Sequence, residues 1–135
     1  MKVIIYKNAN GNVSVCYPTN EISIEDVLAK DCPKEAFIID SSELPEKHNE
    51  FFNAWRLDNN NKVFVDIKAV KEITKERLRA ERKPLLEAQD ILFQRALETG
   101  ADTTAIVAEK QRLRDITTLV DTANTIEELK ALEAK

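Results

Sequence analysis

An α+β fold is predicted for this chain, a small β-rich unit at 1–66 followed by a helical region at 67–135, and three observations predict it. Before about residue 66 the apolar residues alternate or cluster in short runs such as KVIIYK and VFV, the pattern of strands. From Ile67 the period becomes helical, with Leu78, Leu85 and Leu92 on one stripe. Turn formers punctuate the first part, at Asn-Ala-Asn-Gly and Asp-Asn-Asn-Asn, whereas the second part has one sharp break, at Gly100.

Taken in order, Lys2–Lys7 and Asn12–Tyr17 read as a β-hairpin around Asn-Ala-Asn-Gly. A short helix follows Pro18: Ser23 stands three residues before Asp26 as a cap, Ile24, Val27 and Leu28 share a face, and Pro33 ends it. Ala36–Asp40 is a compact apolar run that reads as a buried strand, and SSELPEKHNE as a polar loop. Phe51–Leu57 and Lys62–Ile67 flank Asp58-Asn59-Asn60-Asn61 as a second hairpin. Phe37, Ile39, Phe52, Trp55 and Phe64, with several Val and Ile, form the expected core.

Asp66 is placed to cap a helix of about thirty residues, some 45 Å long at 1.5 Å per residue. Pro84 removes one amide donor and crowds the Ala80 carbonyl, which predicts a kink or a break. Gly100 is the expected C-cap and Asp102 the next N-cap, opening a helix over Thr103–Thr118 whose Ile106, Leu113 and Val120 repeat the seven-residue spacing. The two stripes describe an antiparallel helical hairpin. Thr125 and Glu128 form a capping-box pattern that opens a short terminal helix from Ile126 to about Glu133. Packing is expected from Leu85, Leu92, Leu97, Ile106, Leu113 and Ile116. A hairpin with so few large apolar residues does not offset the ordering of its own backbone, so it is expected to pack on something else.

Composition narrows the function. The net charge of −4 disfavours generic binding to nucleic acid or to an anionic membrane. No apolar stretch approaches the roughly 20 residues of a membrane span, and the start MKVIIYKNANG lacks the pattern of a signal peptide, which points to a protein made in a cytoplasm. Without that secretory context the sequon Asn12-Val13-Ser14 carries no weight. Cys16 and Cys32 lack metal-ligand spacing and read as buried or free thiols. The single histidine, His48, lies in the polar run LPEKHNE and reads as a solvated side chain. No nucleophile elbow, zinc-protease helix, Walker loop, dinucleotide fingerprint or calcium loop occurs, and two glycines leave no phosphate-cradling loop. The expectation is a non-enzymatic protein with no cofactor and no metal.

A cationic belt, KAVKEITKERLRAERK, offers Lys68, Lys71, Lys75, Arg77, Arg79, Arg82 and Lys83. As a nucleic-acid grip it lacks interleaved aromatics, and its acids sit at pairing distance, Glu72 from Lys75 and Glu81 from Arg77. A partly self-paired helix face, or a contact with an acidic protein surface, fits better. The cluster Lys110-Gln111-Arg112-Leu113-Arg114 fans around its helix, with Asp90 expected beside Arg112 or Arg114 and Arg82 level with Asp121. Arg79, Arg82, Gln111 and Arg114 are the candidate partner-binding residues.

From Phe51 to Leu132 the chain resembles a known family. The segments that carry the likeness are Ala54-Trp55, the helix start KAVKEI, the Arg-rich LRAERK, the turn DILFQRALETG, the helix KQRLRDI and the closing TIEELKAL. Together they resemble the C-terminal part of small tail-associated proteins of tailed bacteriophages and prophages, similar to tail and tail-fibre assembly proteins with chaperone-like character. The chain departs from the family at its end, stopping at Leu132-Glu133-Ala134-Lys135 where many such proteins continue with a Trp-Pro segment. The resemblance implies a protein made in the bacterial host and built into the virion tail, with fibre, baseplate or tube proteins as partners and self-association open. The alternatives are a transient assembly chaperone absent from the virion and a small nucleic-acid-binding regulator.

Overall fold

The computed structural model describes residues Met1–Lys135, and the fold is α+β as expected. Backbone packing divides it into two units, Met1–Ala69 and Val70–Lys135, a boundary slightly beyond the expected one at 66.

In the first unit, β1 (Lys2–Lys7) lies at the centre of a three-stranded antiparallel sheet, between β2 (Val13–Cys16) and β3 (Phe37–Asp40). Its register pairs Ile4 with Cys16 and Ile38, and Ile5 with Val15 and Phe37. A central strand buries both faces, which is why β1 reads as an unbroken Val-Ile-Ile run. Val3 and Ile5 join Val13, Leu44 and Trp55 on one face. Ile4 meets Val27 and Ala36 on the other, where α1 (Ile24–Asp31) covers the sheet. Ser23 caps α1 by accepting from the Asp26 amide, as its spacing predicted.

The two hairpin loops share one design. Asn8 and Asp58 each accept from backbone amides two and four residues on, through Oδ1, and the fourth loop residue takes a left-handed conformation: Gly11 at φ 81° and Asn61 at φ 61°. The second hairpin is shorter than expected. Its strands are β4 (Trp55–Leu57) and β5 (Val63–Val65), in a separate two-stranded sheet. The segment expected as a polar loop followed by strand is instead two 3-10 turns, Ser41–Glu43 and Glu46–Ala54, because the backbone bonds locally, as from His48 N–H to the Pro45 carbonyl. This turn reverses the expected roles of two aromatics: Phe51 is buried, and Phe52 stands 40% exposed with its ring edge-on to Trp55 at 4.9 Å. Phe64 also leaves the expected core at 45% exposure, since its neighbours Val63 and Val65 take the inner face of β5.

Helix α2 (Ile67–Thr99) runs unbroken through Pro84. Pro84 and Ala80 are both exposed, so the carbonyl that loses its donor faces water and a break is unnecessary. The helix ends in a Schellman motif: Ala101 N–H donates to the Ala96 carbonyl and Gly100 N–H to that of Leu97, with Gly100 at φ 70°. The N-cap of α3 (Thr104–Asp115) is Thr103, one residue later than expected; Asp102 stands just before it and accepts from the Thr104 hydroxyl and amide, which holds its carboxyl below the usual aspartate range. The expected single helix over Thr103–Thr118 is interrupted. Ile116 and Thr117 accept i+3 bonds from Leu119 and Val120, and the chain restarts as α4 (Thr118–Thr122). Thr125 caps α5 (Ile126–Ala131) through the Glu128 amide, while the Glu128 carboxylate reaches back to the Asn124 amide.

The core of the second unit is concentrated at one end of the hairpin: Val70, Thr74, Leu78, Leu113, Ile116, Val120, Leu129 and Ala134. Thr74, the one buried polar residue, donates its hydroxyl to the Val70 carbonyl at 2.8 Å. Of the packing residues expected from sequence, Leu113 and Ile116 are buried, and Leu85 and Ile106 half-buried. Leu92 and Leu97 are exposed, at 44% and 56%, because toward the turn the helices meet through the small Ala96.

Candidate docking surface

The cationic belt is largely used up within its own unit. Lys75 binds Asp121 at 2.9 Å, and Lys71 donates to the Asp121 carbonyl. Arg79 pairs with Glu76. Arg82 is half-buried and donates to the carbonyls of Arg114 (2.9 Å) and Leu113 (3.4 Å). Arg77 pairs with Glu81 at 2.8 Å and also donates to the carbonyls of Leu129 and Leu132, where α5 ends. Lys71, Arg77 and Arg82 thereby act like C-caps for the returning arm, donating to carbonyls near the ends of its helices.

Arg77, Glu81 and Arg112 form a clamp on the terminal segment that no local sequence signal announces. Glu81 Oε2 accepts from the Ala134 amide at 3.2 Å, Arg112 donates to the Ala134 carbonyl at 2.8 Å, and Ala134 is fully buried between them. Burial opposes ionisation of Glu81, but the Arg77 guanidinium, the Ala134 amide and the Lys135 charge outweigh it and hold the carboxyl below the usual glutamate range. Arg112 is itself fixed by a bidentate bond to Glu109, which lowers the Glu109 carboxyl in turn. Beside the clamp lies an open groove bounded by Glu81, Pro84, Leu85, Glu133 and Lys135.

The interhelix pairs differ from those expected. Asp90 binds Lys110 at 2.7 Å, not Arg112 or Arg114, and Asp121 is taken by Lys75 while Arg82 reaches Leu113 and Arg114. The displacement is already present at Lys110 and Arg114, so it is set between the Gly100 turn and the end of α3.

Of the four candidate partner residues, Arg82 sits against the Arg114 backbone, Arg79 lies one turn before Arg82, and Gln111 lies one turn before Arg114. They therefore share one flank of the hairpin. Gln111 donates to both carboxylate oxygens of Asp115, and the Arg114 side chain is exposed. Toward the hairpin turn the same rows continue with apolar residues: Leu86, Phe93 and Leu97 on α2, and Val107 on α3, one turn before Gln111. Leu97 and Val107 are 56% and 50% exposed, and Lys110 crosses between the rows with its ammonium 4.9 Å from the Phe93 ring centre.

Elsewhere, groups with potential chemistry are isolated. His48 is half-buried rather than solvated, since its segment folds into a 3-10 turn; its Nδ1 is shielded without a protein partner, and its carbonyl accepts from Trp55 Nε1. Cys16 and Cys32 are free thiols that pack together on the Ile4, Val27 and Ala36 cluster, and burial, with the Cys16 sulfur and Asp31 nearby, pushes the Cys32 thiol up. No group of three or more His, Cys, Asp or Glu is arranged to hold a metal ion, and no helix is long and apolar enough to cross a membrane. No protein-family model, curated protein or solved structure matches the chain.

Proposed function

We propose that the chain is a non-enzymatic structural component of a bacteriophage tail, whose helical hairpin docks onto a fibre, baseplate or tube protein. The observation that carries this reading is the flank of the hairpin on which Leu97 and Val107 stand exposed at the turn, with Arg79 and Arg114 in the same rows toward the base. Exposed apolar rows edged by cations suit a protein surface with an apolar centre and an acidic rim. The resemblance of Phe51–Leu132 to tail-associated proteins supports the same reading and supplies the partner class.

The belt's engagement favours a protein partner over nucleic acid. Lys71, Lys75, Arg77 and Arg82 are all bonded within the unit, and binding phosphates through them would break those bonds. A low-salt gel shift is expected to show no complex.

The test is mass spectrometry of purified virions with lysine-directed crosslinking. The expected result is the chain in particles, with Lys83, exposed beside the flank, linked to another tail protein. Absence from particles would replace the structural role by that of a transient assembly chaperone. Presence with every crosslink on the first unit would refute the hairpin flank as the docking surface.

A further inference from the structure

The opposite side of α2 carries a second exposed patch. Ile91 stands 55% exposed, with Pro84, Glu87 and Ala88 before it and Arg95 and Glu98 after it, all exposed. A shallow depression bounded by Asp90, Ile91, Gln94, Arg95 and Glu98 lies beside the Ile91 side chain.

We propose that this patch is the contact between two copies of the chain, whose α2 helices cross antiparallel at Ile91. A two-fold contact brings the same surface together from both copies, so the patch must complement itself. With Ile91 on the axis, residues equally far before and after it meet. Glu87 then faces Arg95 of the second copy, and Arg95 faces Glu87, giving two opposite-charge pairs. Ala88 faces Gln94, which leaves room for the Ile91 side chains to interdigitate. A parallel pairing would instead oppose Glu87 to Glu87 and Arg95 to Arg95.

The charges are available for this use. Gln94 occupies the Glu98 carboxylate, and Lys110 neutralises Asp90 from the side, while the Glu87 and Arg95 side chains make no ion pair within the chain. Glu87 and Arg95 are too far apart along α2 to meet each other. A single helix crossing is at the small end of stable interfaces, so a dissociation constant in the range of about 1 to 100 µM is expected. The inference does not depend on a tail partner, because its residues lie off the flank proposed for docking.

The experiment is sedimentation equilibrium of the full chain from about 5 to 500 µM, bracketing that constant. The mass is expected to rise from one chain to two. Ile91→Asp should stay a single chain throughout with an unchanged thermal melt, since Ile91 is exposed. Glu87→Arg and Arg95→Glu should each weaken the dimer about tenfold, by losing both pairs and creating repulsion. The double variant should return to within about threefold of the original, because the swapped charges face each other again. A single chain at the highest concentration, a dimer that survives Ile91→Asp, or a double variant no better than the singles would overturn the proposal.

Discussion

Replacing Arg77 by Ala tests whether cations of α2 hold the terminal segment. The guanidinium makes a 2.7 Å bond to the Leu132 carbonyl, a 3.2 Å bond to that of Leu129 and a 2.8 Å pair with Glu81, and its side chain is 35% exposed. Two charge-assisted carbonyl bonds contribute about 1 to 1.5 kcal/mol each at partial exposure, and the surface pair adds between about 0 and 1 kcal/mol. Because the freed carbonyls regain water, the expected loss is roughly 2 kcal/mol rather than the sum. The loss should be read in two ways. Denaturant unfolding of the second unit should show a midpoint drop with unchanged slope. Native-state hydrogen exchange should show the amides of Leu129, Leu132 and Ala134 opening before those of Leu78 and Leu113. Lys83→Ala, an exposed belt residue, should change stability by less than about 0.5 kcal/mol. If Arg77→Ala behaves like Lys83→Ala, and Ala134 keeps its protection, the clamp does not hold the segment.

Four further outcomes follow from the same structure. Gly11→Ala should cost about 1 kcal/mol, since its φ of 81° strains any side chain although space is open, and a chemical melt measures this. Leu113→Asp should unfold the second unit, because a fully buried position gains an unpaired charge worth several kcal/mol; loss of helical circular dichroism checks it. The Glu81 carboxyl is held below its ordinary value in the folded chain, so its contribution is fully present above that value and lost as pH falls through the folded one; Glu81→Gln should flatten the acid limb of stability against pH. Cys32, with its thiol pushed up by burial, should react with iodoacetamide at pH 8 more slowly than an unfolded control, and equal rates would contradict the packing seen on Ile4 and Val27.

The local devices were legible because each is encoded within a few residues. Ser23 and Asp26, Thr125 and Glu128, and the Gly100 C-cap all act where their spacing placed them. Phe51 and Phe52 were not separable, since a short aromatic run fits a strand or a 3-10 turn equally and only tertiary packing chooses which ring goes in. The register of the hairpin was missed for a similar reason. It is set by contacts between residues far apart in sequence, Asp90 with Lys110 and Arg82 with the Arg114 backbone, and no local signal encodes them. The clamp could not be read at all, because Arg77 and Leu132 are 55 residues apart and Ala134, the residue it buries, carries no distinguishing chemistry.

The distribution of burial along the hairpin bears on the proposed docking. At the base, Leu78, Leu113, Val120 and Leu129 close a core, and the belt's cations are committed to carbonyls of the returning arm. Toward the turn the only buried residue on either helix is Ala96, yet Ile91, Leu92, Leu97 and Val107 remain large, apolar and exposed. Lysine or glutamate at those positions would keep helix propensity and leave less apolar surface in water, so solubility gives no reason for the apolar choice. The Schellman turn, the Asp102–Thr104 bonds and the Lys110–Asp90 pair hold this end in shape with local bonds, without a core of its own. Exposed apolar rows on a segment held in shape by local bonds are the feature on which the proposed docking rests. Two such rows lie on opposite sides of α2, one complementary to itself in charge and one edged by cations, so the proposed dimer and the proposed tail contact would not compete for the same surface.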